Sequence, residues 1–151
     1  MNITYKLQYD KHLNESDNNI PVFSLKGKIK KAKIVDVYDG NGCTAVFYLN
    51  KTLYKWNIRL SGYELPELRH GKFSDNRHLE LKKATESRKF LKSLIMKENQ
   101  LVYIKCGDFD KYGRLLGEIF INKNDSKSVN QLMIKHGRGV PYDGCNKLKF
   151  M

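Results

Sequence analysis

The stretch from Asp39 to Leu60 constrains the fold most. Asp39-Gly40-Asn41-Gly42 is followed by two runs rich in β-branched and aromatic residues, Cys43–Leu49 and Thr52–Leu60, joined at Asn50-Lys51. Such side chains suit a pleated, half-buried surface, and Gly and Asn accept the positive φ that tight turns demand. Upstream, Lys28–Tyr38 sets Ile29, Ala32, Ile34, Val35 and Val37 among lysines, the pattern of a half-buried strand. The opening residues 1–27 read as a weakly specified arm, with room for a short strand at Ile3–Leu7, and residues 28–151 as the folded domain.

Beyond Leu60 the pattern changes. Ser61 to Pro66 reads as a loop, since Pro66 bars a helix there, and the charged segment 68–78 as a surface loop. Leu79, Ala84, Ser87, Phe90, Leu91, Leu94 and Ile95 then approximate a helical stripe, predicting a helix over Leu79–Glu98. Strands are expected at Leu101–Cys106 and Leu115–Ile121, with a Gly-Asp loop after the first and a turn at Lys111–Gly113. A second helix is expected at Ser128–His136, capped by Ser126 or Ser128 and stopped at Gly137. The order β-β-β-α-β-β-α has no βαβ alternation and predicts an α+β domain, a five-stranded antiparallel barrel with two helices.

Charge narrows the partners. Lys and Arg exceed Asp and Glu by 12, and so basic a domain attracts polyanions, nucleic acid foremost. No apolar run is long enough to cross a membrane, and Met1 to Asp10 carries no apolar core of a signal peptide, which predicts an intracellular protein. Three cysteines without a CxxC pair read as reduced thiols, and the four histidines share no zinc spacing. The sequons at Asn2, Asn14 and Asn124 therefore read as chance matches. No feature demands a protein partner.

Three polar clusters flank the strands: Asp39-Gly40-Asn41-Gly42-Cys43; Arg59 with Glu64 and Glu67; and Asp110-Lys111-Tyr112-Gly113-Arg114. Phosphodiester cleavage needs a hard cation on oxygen ligands, a carboxylate to orient water, and cationic forks on the phosphoryl oxygens. Asp39, Glu64 and Glu67 offer the oxygens. Arg59 and Arg114 offer the forks, the planar guanidinium being matched to phosphate.

In order and spacing, the DGNGC turn, IRLSGYELPE, DKYGRLL and SVNQLMIKHG resemble the staphylococcal nuclease family, over roughly Lys28 to Tyr142. The resemblance implies an OB-fold barrel and a calcium-dependent phosphodiesterase that cuts DNA and RNA with little sequence preference. It implies that Arg59 and Arg114 bind and polarise the scissile phosphate and that Glu67 orients or activates water. Lys111 and Tyr112 would contact a terminal phosphate, and Tyr142 would lie near a base.

The metal half departs from the family pattern. Asn41 stands where the family has an acidic calcium ligand, Gly42 where threonine is usual, and Glu64 where aspartate is usual. Leu65 replaces a threonine, which serves if only its backbone carbonyl coordinates, and Asp39 is a possible substitute ligand. Fewer charges hold calcium more weakly, or leave room for another divalent metal. Two rival readings accompany the nuclease. One is a catalytically impaired module that binds nucleic acid through a basic groove and stacking tyrosines (Tyr38, Tyr48, Tyr54, Tyr63, Tyr112, Tyr142). The other is a protein-interaction domain like the degenerate repeats of tudor-staphylococcal nuclease proteins.

Overall fold

A computed structural model describes residues 2–66 and 75–142. The elements run α1 (Ile3–Glu15), β1 (Ile29–Asp39), β2 (Gly42–Leu49), β3 (Thr52–Leu60), β4 (Tyr63–Glu64), α2 (Asp75–Ile95), β5 (Val102–Phe109), β6 (Leu115–Phe120), α3 (Val129–Lys135) and β7 (Val140–Pro141). Five strands close into a barrel in the order β1-β2-β3-β6-β5, and β4 and β7 form a separate two-stranded pair. The OB-type α+β architecture is therefore as expected, with one correction to its topology. A closed ring of five strands cannot alternate direction all the way round, so one pair must run parallel. That pair is β3 with β6, where Ile58 meets Leu115 and Arg59 meets Leu116.

The β2–β3 hairpin turns on Asn50 and Lys51, at φ 49° and 69°. Positive φ at both central residues is the signature of the tight hairpin turn whose twist matches the strands. Inward residues alternate along the strands and fill the barrel with Ile34, Ala45, Phe47, Ile58, Ile104 and Ile119. Leu91 and Ile95 of α2 and Val129 and Met133 of α3 complete the same core. Phe47 stacks on Trp56 with ring centroids 4.6 Å apart.

The elements differ from expectation in several places, and the expected loop Ser61–Pro66 contains the short strand β4, which pairs with β7. Ile3–Leu7 is helical, part of α1, which buries none of its residues. The alternation of Ile3, Tyr5 and Leu7 imitates a strand, but no sheet edge meets it. Local terms hold the helix, the Asn2 side chain accepting from Thr4 N–H at its start and Lys11 pairing with Glu15. Helix α2 starts earlier than expected and takes residues 75–78 from the expected loop. Its stripe is buried only in the second half, at Ser87, Leu91 and Ile95, whereas Leu79 and Ala84 are exposed. Gly107 and Asp108 are not a loop but the bulged end of β5, where the register with β6 shifts between Cys106 and Phe109.

Helix α3 is capped as expected. Ser128 accepts from Gln131 N–H, and the Gln131 side chain accepts from Ser128 N–H, a reciprocal capping box. Arg138 N–H donates back to the Met133 carbonyl at 2.8 Å, ending the helix around Gly137. From this helix Asn130 reaches into the barrel wall, a tie that fixes the strand ends near the site.

Candidate functional site

Arg59 sits near the end of β3, opposite Gly42 on β2 and Leu116 on β6. It is buried, and its guanidinium is held on several sides. Nη1 donates to the carbonyls of Leu60 and, at 3.1 Å, Tyr63. Nη2 donates to Glu64 Oε1 at 2.6 Å in an ion pair. The Asn41 amide, placed with its oxygen toward Arg59, accepts from Nη1 and Nη2 at 3.1 and 3.2 Å. The opposite orientation would set amide donors against guanidinium donors, so the partners dictate the assignment. The backbone agrees, since Leu60 N–H donates to the Asn41 carbonyl at 2.8 Å. The turn after β1 and the end of β3 thus form one structure.

Tyr63 and Gly40 hold that structure in place. The fully buried Tyr63 donates its hydroxyl proton to the Gly40 carbonyl at 2.7 Å, which ties the segment carrying Glu64 to the turn carrying Asn41. A Cβ on Gly40 would lie 2.5 Å from Leu65 Cδ2 and 2.8 Å from Ser87 Cβ, so a side chain there would push α2 and Leu65 off the turn.

Arg114 is positioned by its own turn. Asp110 Oδ1 accepts from the backbone N–H groups of Tyr112 and Arg114, each at 2.9 Å, and Oδ2 accepts from Arg114 Nε at 2.8 Å. Burial by itself would raise the Asp110 pKa, but the hydrogen bonds from Arg114 and Tyr112 outweigh it and hold the carboxyl below its ordinary value. Tyr112 is exposed and has two cations against its ring, Lys111 Nζ at 5.1 Å and the Arg114 guanidinium carbon at 5.6 Å from the centroid.

These parts meet at one cleft of about 790 Å³. Its walls include Arg59, Glu64, Lys111, Tyr112, Arg114 and Tyr142, together with Ser61, Gly62, Asp110 and Leu116. The parallel pairing of β3 and β6 is what brings Arg59 and Arg114 to it, because the end of one strand lies beside the start of the other. Among the described wall residues each carboxylate is paired to an arginine, Glu64 to Arg59 and Asp110 to Arg114, so Lys111 leaves these described walls net positive. Two guanidinium groups and an ammonium around one cavity can hold a phosphate.

Other expected site residues lie differently. Asn41 stands behind Arg59, and Leu65 packs against the core beside Gly40. Asp39 accepts from Gly40 N–H at 2.6 Å, and the described walls of the cleft include none of these three. Tyr63 is no stacking platform, because the barrel core encloses it. Glu67 lies outside the described residues. Asp110 and Asn130 lie in segments that the sequence singled out, but neither was given a positioning role there. Asp110 carries a signal in the sequence, an Asp followed by a turn with Gly three residues on. Asn130 carries none beyond its place in the helix. Its Oδ1 accepts from Ile119 N–H at 3.0 Å, and its Nδ2 donates to the carbonyls of Ser61 and Gly117 at 2.8 and 3.0 Å.

For a cation, the donor set suits a hard metal in kind. The oxygens of Glu64 and Asn41 bond to the same Arg59 nitrogen and so lie close together. Among the described residues, no three His, Cys, Asp or Glu side chains gather to hold a metal. The cradle is one of low charge, shared with an arginine.

A closed five-stranded barrel with a cationic cleft at one strand end places the molecule in the OB class. Within that class the chain belongs to the staphylococcal nuclease homologues, whose family model matches residues 57–148. The match begins inside β3 and takes in Arg59, Glu64, Glu67, Arg114 and Tyr142, whereas the Asp39–Gly42 turn precedes it. No curated protein matches the chain. No helix among the described residues is long and apolar enough to cross a membrane.

Proposed function

We propose that this protein is a nuclease that hydrolyses phosphodiester bonds of DNA or RNA with calcium assistance and little sequence preference. One observation carries the reading: Arg59 and Arg114, 55 positions apart in the chain, line the same cleft, each with a carboxylate partner that fixes it. Family membership supports it. Arg59 and Arg114 hold the phosphoryl oxygens and stabilise the charge that gathers there, the kind of term that dominates such catalysis. Glu67, three residues beyond Glu64, takes a proton from water as the water oxygen bonds to phosphorus and the bond to the leaving oxygen breaks. Glu64, Asn41 and the Leu65 carbonyl, with Asp39 in reserve, would hold a divalent cation, which would supply positive charge to the phosphoryl group when bound. Lys111 and Tyr112 hold a neighbouring phosphate, and Tyr142 flanks a base. The buried free thiols Cys43 and Cys106 suit a reducing, intracellular setting.

A second reading has its own support. Asn41 and Glu64 are both engaged by Arg59, and a weak cation site favours a module that grips nucleic acid without cutting it efficiently. Plasmid and single-stranded DNA incubated with calcium, magnesium, manganese or EDTA separate the two. The nuclease reading expects metal-dependent cleavage that disappears in Glu67→Gln and falls about 100-fold or more in Arg59→Ala or Arg114→Ala, as when an oxyanion donor is lost. Binding without cleavage under every metal overturns it.

A further inference from the structure

We infer that Glu86, Ser87 and Arg138 are positioning residues for Tyr142, acting from helix α2 through β7 on one flank of the cleft. That flank has little support of its own. Strand β7 pairs with β4 through Val140 and Pro141 alone, opposite Glu64 and Tyr63. The next residue, Tyr142, donates its N–H to the Gly62 carbonyl at 3.0 Å. The pair stands outside the barrel sheet, and two strands this short do not hold together in water unaided. Gly62, Glu64 and Tyr142 all line the cleft, so whatever anchors β7 also sets where the tyrosine stands.

Helix α2 is that anchor. The buried Ser87 donates from Oγ to the Arg138 carbonyl at 3.1 Å, just before β7. Arg138 Nη1 donates to Glu86 Oε2 at 2.9 Å, and its guanidinium carbon lies 6.0 Å from the centre of the Phe90 ring. The contacts close into a ring. Ser87 packs against Gly40, the Gly40 carbonyl accepts the Tyr63 hydroxyl proton, and the Tyr63 ring lies against Gly139, where a Cβ would come within 2.4 Å of Cδ2. A single stretch of α2 therefore grips both the turn that carries Asn41 and the strand that leads to Tyr142. The described walls of the cleft include neither Glu86 nor Arg138, so these two act through β7 and not by touching substrate. Their side chains are 39% and 36% exposed. An ion pair that open adds little to global stability, and a short segment beyond the last core helix can loosen without unfolding the barrel.

This inference rests on the cleft as the phosphodiester site and on Tyr142 beside a base. Dinucleotide affinity in EDTA and the urea midpoint are measured for wild type, Arg138→Met, Glu86→Gln, Tyr142→Ala and Arg138→Met/Tyr142→Ala. Arg138→Met and Glu86→Gln should each weaken the dinucleotide about fivefold, the lower end of what one stacked base contributes, with the midpoint unmoved. The two substitutions change net charge in opposite directions. A direct pull of Arg138 on phosphate would make Glu86→Gln bind more tightly, whereas positioning makes it bind more weakly. In the Tyr142→Ala background Arg138→Met should cost less than about twofold, because a residue that acts through Tyr142 has nothing further to lose. Three results overturn the positioning role: tighter or unchanged binding in Glu86→Gln, a midpoint that falls together with the affinity, or a full Arg138→Met effect without Tyr142. The cleft then stands if Arg59→Ala still weakens the dinucleotide. Failure of wild type to bind overturns both.

Discussion

Glu64 Oε1 lies 2.6 Å from Arg59 Nη2, and Asn41 accepts from the same nitrogen at 3.2 Å. The guanidinium that would meet a phosphate is thus the group that gathers the cation ligands. Partner and competitor are one residue.

The first prediction follows at Asn41. Asn41→Asp adds a carboxylate where an amide oxygen now meets Arg59, raising the charge of the cradle without changing its shape. Calcium affinity should rise about tenfold, since affinity follows ligand charge, and cleavage should speed up at limiting calcium. Calorimetry or terbium luminescence checks it, and an unchanged affinity places Asn41 outside the cation shell.

Asn130→Ala should lower stability by about 2–3 kcal/mol, because a buried N–H at Ile119 and the carbonyls of Ser61 and Gly117 lose a partner together. A urea midpoint shifted down at constant m-value is the expected result. A loss within 0.5 kcal/mol would mean that water replaces the amide.

Asp110 sets an acid limb. Its folded-state pKa is depressed by hydrogen bonds from Arg114 and Tyr112, so the stability it contributes is complete above its unfolded value of about 3.9 and is lost as pH falls through the lower folded value. The stability gap between wild type and Asp110→Asn, open at pH 7, should narrow from about pH 4 downward. A gap constant with pH would leave the turn without this linkage.

Cys43 should be inert. Burial, and then the nearby Asp36, push its thiol up to about 12, so almost no thiolate exists at neutral pH. In a Cys145→Ser background, thiol reagents should label the native protein slowly and the denatured protein promptly. Prompt native labelling contradicts a closed barrel at this strand.

Much of this was legible in the sequence, for physical reasons that differ by element. Strands β1 to β3 declared themselves because they are rich in β-branched and aromatic residues, and Ser128 and Gly137 mark the ends of α3 in their own chemistry. Arg59 and Arg114 stood out because a planar guanidinium matches phosphate and both fall in segments that resemble the family. The parallel β3–β6 pair was not legible, since direction comes from closing the ring and no local pattern encodes it. Helix α1 was misread because a helix with no buried face leaves no period of 3.6 to find. The ion pair between Arg59 and Glu64 could not be read either, as both residues had been assigned to other ligands.

The parallel seam between β3 and β6 has one more consequence. Arg59 and Arg114 become neighbours only when the last gap in the ring is sealed, with the whole of α2 and β5 threaded between them. No fragment ending before β6 can assemble the two-arginine cleft, and recovery of phosphate binding on refolding should require the β3–β6 pairing. The two-arginine cleft, in this molecule, is a product of topology.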